Sequence, residues 1–218
     1  MSNHTPRQSD SVAAGPQSAF DMRARDALIL GKPPRIAPLE ASELGKEASE
    51  TALALRKAAT GTASDEVTEF TATMLRHPAL YRCHVALGIQ LYAGALVPRD
   101  RELAVLRIAW LCKAPYEWGE HVKIGKRIGL TPEEIERAIH GSTAPGWNEH
   151  DRAIVRAAEE LLEDAMISDE TWAILSRRLD EKQLIELPLL VGNYVALAYF
   201  QNSLRLRLIP GNPGLSAR

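Results

Sequence analysis

The sequence predicts an all-α fold of about eight helices. Helix start and stop signals recur along the chain from Ser42 to its last quarter. No run of alternating apolar and polar residues is bounded by hairpin turns. The length of 218 residues, 45% hydrophobic and 25% charged, fits one globular domain with a substantial core.

Residues 1 to about 20 are polar and rich in Ser, Gln and Pro, and residues 1–30 as a whole are expected to form a disordered or arm-like tail. The domain is placed at 31–210, with 211–218 as a C-terminal tail. Lys32–Pro38 holds three prolines that block helix, so it is extended. Ser42 caps a helix to about Ala59, and Ser64 caps another that ends before Pro78. A third helix runs from Pro78 to about Gly94, with Leu80, Val85, Leu87, Ile89 and Leu91 as its apolar residues.

Pro98 opens the next helix, which ends near Cys112. Pro115 suits the first position of a helix that runs to Ile128 and stops at Gly129. Thr131-Pro132-Glu133-Glu134 is a capping box for a short helix stopped at Gly141. Asn148 caps a helix to about Asp164. Ser168 caps one to about Leu179. Asp180–Gln183 begins a last long helix, bent at Pro188.

Charge narrows the partners. The formal net charge is −2 with acids and bases interspersed, so no basic stripe argues for nucleic acid and no polybasic run for a membrane surface. The longest apolar run, Leu187–Phe200, is interrupted by Gly192 and Asn193 and reads as too short to span a bilayer. The N-terminus lacks the charged start and apolar core of a signal peptide. Cys83 and Cys112 sit in apolar helical surroundings and read as reduced core residues. A cytoplasmic protein is expected.

The chemistry concentrates in residues 101–130. Glu102 lies in the first turn of its helix, where the helix dipole also favours a carboxylate and where Arg101 or Arg107 can pair with it. Glu117 and His121 stand four apart on the next helix and share a face. A Glu four before a His can accept its ring N–H and fix the tautomer. Two acids and a His so placed form a candidate general acid–base cluster. Glu120 points a quarter turn away and reads as solvated or paired with Lys123 or Lys126.

Trp110, Tyr116 and Trp118 wall a pocket or belong to the core, and Asn193 and Tyr194 line it or bond a neighbouring helix. Gly119 and Gly125 allow close helix approach. E-W-G-E-H lacks the second His of HExxH, and His140 and His150 fall at a helix end and in a loop region, so no metal is expected. There is no GxGxxG, P-loop or nucleophile elbow, so no nucleotide cofactor is expected.

Residues 101–130 resemble the core of the carboxymuconolactone decarboxylase family, which includes the AhpD-like proteins. The redox branch of that family carries Glu, then CxxC, three residues and His. Counting back from His121 puts the two cysteine positions on Ala114 and Glu117, and the glutamate on Glu102. The chain therefore resembles a branch that keeps Glu and His but lacks the thiol pair. The resemblance covers roughly 35–210. It rests on Arg101–Leu103, Tyr116–Trp118 and His121, with Gly146-Trp147 and Trp172 similar to longer members.

The resemblance implies a helical bundle in a homo-oligomer, whether dimer, trimer or hexamer. It implies a cofactor-independent acid–base enzyme acting on a small carboxylated lactone or enolisable acid, by decarboxylation or a related step. His121 would move the proton, Glu117 orient it and Glu102 complete the network. Arg101 or Arg107 would hold a substrate carboxylate, with Tyr116, Trp118, Asn193 and Tyr194 around the substrate. The alternatives are a peroxidase, which needs paired thiols this stretch lacks, and a non-catalytic helical binding protein.

Overall fold

The computed structural model describes residues 20–40, 42–45, 53 and 67–218. Among them are nine α-helices and no strand. They are α1 Met22–Ile29, α2 Glu69–Met74, α3 Pro78–Tyr92, α4 Pro98–Leu111, α5 Pro115–Arg127, α6 Pro132–His140, α7 Glu149–Asp164, α8 Asp169–Leu175 and α9 Glu181–Leu204. A 3-10 turn, Gly214–Ser216, follows. The expected helix from Ser42 to Ala59 and the Ser64 cap fall largely outside the described residues.

Helix α4 is the centre. Every residue from Asp100 to Ala109 is buried. A helix surrounded on all sides has no polar face, so it shows little amphipathic signal. Helices α5, α6, α7 and α9 pack around it. One core joins Leu103, Leu106, Ile108, Trp118, Ile154 and Leu190.

The local signals act as read, with adjustments at the ends. Thr131 and Glu134 form the reciprocal capping box of α6, and Asp180 and Gln183 form that of α9. Gly129 and Gly141 end α5 and α6 at φ +96° and +86°. Thr68 caps α2. Helix α8 stops at Leu175 rather than Leu179, because Arg177 and Arg178 donate to carbonyls three residues back and tighten the chain into turns. Helix α9 stays helical through Pro188 for all 24 residues.

Both presumed tails belong partly to the domain. Asp21 accepts from the N–H groups of Arg23 and Ala24 to start α1. Phe20 stacks on Trp110 with ring centroids 5.0 Å apart, and Arg25 donates to the Lys113 carbonyl. At the other end Leu215 is fully buried against α5. Asn212 donates to the Tyr116 carbonyl, and its Oδ1 accepts from the Gly214 N–H. Gly119 leaves the space that Asn212 occupies, since a Cβ there would collide with Oδ1.

Other expectations shift. Cys83 is an exposed residue of α3, not a core one, and Cys112 is half-buried; both are free thiols. Leu80 and Leu87 of α3 are exposed as well. Helix α9 is long and apolar enough to cross a membrane by length and composition, against the shorter span read from sequence. Its inner side packs on α4 and α7. Its outer side leaves Ile185, Leu189, Gly192, Ala196, Tyr199 and Ser203 exposed.

Candidate active site

Helices α4 and α5 form an antiparallel hairpin that brings Glu102 against His121. His121 Nδ1 donates to Glu102 Oε2 at 2.7 Å. Glu102 is completely buried. Its Oε1 accepts from Arg101 Nε at 2.9 Å. Arg101 in turn donates to the Tyr92 carbonyl at 2.5 Å and lies over the Tyr92 ring at 4.3 Å. Burial pushes the Glu102 carboxyl up, but His121 and Arg101 outweigh burial and hold it below the ordinary carboxylate range. An ionised Glu102 keeps the proton on Nδ1, so the neutral ring presents its lone pair at Nε2.

Glu117 does something else. The sequence suggested that it grips His121 from four residues away, and it does not. It is 2% exposed, and its Oε1 accepts from Gln201 Nε2 at 3.4 Å. Burial raises its carboxyl well above the ordinary range, and the Gln201 amide offsets this only in part. Burial therefore favours the neutral acid form of Glu117. The two glutamates differ because Arg101 and His121 flank Glu102, whereas no cation among the described residues contacts Glu117.

His121 and Glu117 line a cavity of about 300 Å³ between α2, α3, α5 and α9. Tyr116 and Glu120 join them from α5; Asn193, Tyr194, Leu197 and Gln201 come from α9. Phe70 and Thr71 of α2 and Tyr81, His84 and Tyr92 of α3 close the opposite wall. The Tyr194 ring meets His121 edge-on, centroids 4.9 Å apart at 87°. Burial, with the Glu102 and Glu117 carboxyls nearby, keeps the Tyr194 phenol protonated. Burial also pushes the His84 imidazole down, so it is uncharged at neutral pH. Glu120 pairs with Lys123 at 2.9 Å.

Of the residues expected at the site, His121, Glu117, Tyr116, Asn193 and Tyr194 reach the cavity, with Glu102 directly behind His121. The other three, like Glu102, do not line it. Arg101 is committed to Glu102 and Tyr92. Arg107 pairs with Glu159 at 2.8 Å and donates to the Ala138 and Ile139 carbonyls, tying α4 to the end of α6. Trp118 is a core residue: its indole N–H donates to the Ala217 carbonyl, and its ring packs on Trp110 at 5.0 Å. Neither arginine is placed to hold a substrate carboxylate in this cavity.

The sequence reading missed Gln201 and the α3 wall. Gln201 is eight residues after Asn193 on the same apolar helix, and that spacing was a usable signal. His84 and Tyr81 carried no signal, because only the packing of α3 against α2 and α9 turns them inward. His150 is also misplaced by the loop reading. It lies in the first turn of α7, buried, with Nε2 2.8 Å from Asp100 Oδ2. That pair is not among the cavity-lining residues. Among the described residues no group of three or more His, Cys, Asp or Glu is arranged to hold a metal ion.

Residues 78–160, from α3 into α7, match the carboxymuconolactone decarboxylase family model. Glu102, Glu117 and His121 all lie inside the matched stretch. No curated protein matches the chain. Solved structures share most of the fold. An AhpD-core, peroxidase-related protein from Ralstonia eutropha JMP134 superposes with TM-score 0.68 at 15% identity, covering 82% of this chain and 94% of that one. A peroxidase-related protein from Silicibacter sp. TM1040 gives 0.66 at 14% identity, covering 83% and 96%. The debrominase Bmp8 in its apo form gives 0.63 at 18% identity, covering 81% and 92%. At these identities the likeness concerns the fold.

Proposed function

We propose that this chain, which matches the carboxymuconolactone decarboxylase family model over residues 78–160, is a cofactor-independent acid–base enzyme acting on a small enolisable molecule in the 300 Å³ cavity. The observation that carries the reading is the 2.7 Å contact between His121 and Glu102 at the cavity wall. A carboxylate on Nδ1 fixes the tautomer that leaves Nε2 free to accept a proton. Glu117 and Tyr194 are neutral donors on the same cavity, suited to an oxygen on which negative charge develops.

Decarboxylation of a small acid or lactone is one reaction such a site supports. The carbon–carboxylate bond breaks, its electron pair moves into a conjugated carbonyl, and Glu117 and Tyr194 hydrogen-bond the resulting enolate oxygen. His121 Nε2, which has first taken the proton of the substrate's carboxylic acid, delivers that proton to carbon as carbon dioxide leaves, and the ring is neutral again. A positioned acid–base group contributes about 10²–10⁴-fold to such a step.

The peroxidase reading has less support. Burial, with Glu117 nearby, pushes the Cys112 thiol up to about 11, so it is not a thiolate at neutral pH.

The test follows γ-carboxymuconolactone, and a set of enolisable lactones and ketones, by ultraviolet absorbance with wild type and His121→Ala. Turnover reduced at least about a hundredfold in His121→Ala supports the reading. Turnover within a few-fold of wild type refutes it.

A further inference from the structure

Two buried atoms on the cavity wall have their hydrogen-bonding capacity unused. Glu117 Oε2 and Gln201 Oε1 have no hydrogen-bond partner, although the two side chains meet through Gln201 Nε2 and Glu117 Oε1 at 3.4 Å. Glu117 is 2% exposed and Gln201 4%. Buried polar atoms are ordinarily satisfied, and leaving one unpaired is destabilising. Both residues face the cavity, so a bound group can satisfy both.

Charge decides what that group is. Among the described residues that line the cavity there is no Lys or Arg. The nearest guanidinium in the network, Arg101, is committed to Glu102 and the Tyr92 carbonyl. The Nδ1 proton of His121 is likewise committed to Glu102. A ligand carboxylate buried here would lose its hydration without a fixed counter-charge. Rings, in contrast, are abundant: Phe70, Tyr81, Tyr92, Tyr116 and Tyr194 all face the space.

We infer that the cavity binds an uncharged, ring-sized ligand bearing a hydroxyl group, a phenol or enol, held between Glu117 and Gln201. This rests on reading the cavity as the acid–base substrate site, and it narrows the substrate to uncharged hydroxylated rings, for which proton transfer between keto and enol forms takes the place of decarboxylation. A hydroxyl suits the pair because it works in both directions. Its oxygen accepts the acid proton of Glu117, and its hydrogen goes to the Gln201 carbonyl. An ether offers only the first bond and a carboxylate offers neither donor nor neutrality.

The experiment is equilibrium binding to the full chain at pH 7 by calorimetry, with phenol, anisole and benzoate as probes of similar size. Phenol is expected to bind saturably, and at least about tenfold more tightly than either of the others. Gln201→Leu should bring phenol and anisole within about twofold of each other. Gln201→Met, closer in length, serves if the leucine variant does not fold. Because binding is the readout, failure of every turnover assay leaves this inference standing. The preference for phenol over anisole should also survive in His121→Ala. Benzoate binding as tightly as phenol overturns it, as does anisole binding equally well. So does an unchanged preference in the Gln201 variant, or no saturable binding of phenol.

Discussion

His121 is held by Glu102, nineteen residues away on the neighbouring helix, and not by Glu117 four residues before it on its own. The helix–helix contact overrides the local spacing because an ionised carboxylate needs compensation. Glu102 has it from Arg101, and Glu117 does not.

Replacing Glu102 with Ala should therefore affect both stability and activity. It leaves the Arg101 Nε–H and the His121 Nδ1–H without an acceptor and the buried guanidinium without its carboxylate, a loss of about 3–5 kcal/mol. Urea denaturation at pH 7 measures it. Because its folded carboxyl is held below its ordinary value of 4.5, the Glu102 contribution is present above that pH. It is lost as pH falls through the folded value. A wild-type excess in stability over Glu102→Ala that persisted undiminished at strongly acid pH would contradict the assignment.

Glu117 should have the opposite pH signature. Its carboxyl is raised well above 4.5 in the folded chain, so the fold gains from the neutral acid at low pH. That gain is lost as pH rises from the ordinary value through the raised one. Glu117→Gln, neutral at every pH and of the same shape, should flatten the fall in stability across that window. Thermal melts from pH 4 to 9 report it, and parallel curves for wild type and variant would refute it.

The thiols should differ in reactivity. Cys83 is exposed, whereas Cys112 is half-buried with its thiol raised to about 11. Limited alkylation with iodoacetamide at pH 7.5, read by peptide mass spectrometry, should label Cys83 well before Cys112. Cys112→Ser should leave turnover within about twofold of wild type. A large loss would return the thiol to the mechanism.

Gly119→Ala tests the C-terminal lock. The added methyl group meets Asn212, whose two hydrogen bonds fasten the chain end to the start of α5. We expect a loss of about 1–3 kcal/mol and altered near-ultraviolet circular dichroism from Trp118, which donates to Ala217. Unchanged stability would mean that the terminal segment does not hold α5.

The outer side of α9 bears on the expected homo-oligomer. Ile185, Leu189, Gly192, Ala196 and Tyr199 follow a 4-3-4-3 spacing, the pattern that packs one helix seam against a like seam, and no charged residue interrupts it. We propose that two copies of the chain meet there. Light scattering should give at least twice the 24.0 kDa chain mass, and Leu189→Lys should lower it. A wild-type mass near 24 kDa would remove the proposal.

Much of the fold was legible because its punctuation is local. Pro98 and Pro115 at helix starts, the capping boxes at Thr131 and Asp180, and Gly129 and Gly141 at helix ends all act through neighbours in sequence. The terminal segments were not legible, since Phe20 and Leu215 gain their burial from partners far along the chain. The site divides the same way. His121, Glu117 and Glu102 stood out by residue type and spacing, but which glutamate holds the histidine is a question of tertiary packing. Arg107 and Trp118 looked like ligand-binding residues because their chemistry is versatile. Glu159 and Ala217, distant in sequence, claim them for the core.

The central claim is that Glu102 fixes the His121 ring with its proton on Nδ1, and nitrogen-15 NMR of labelled imidazole measures this directly without knowledge of the substrate. The account predicts that neutral His121 has a protonated Nδ1 and an unprotonated Nε2, and that Glu102→Gln, but not Glu117→Gln, disturbs this tautomer. A ring protonated at Nε2 in the wild type, or a tautomer indifferent to Glu102→Gln, would contradict it.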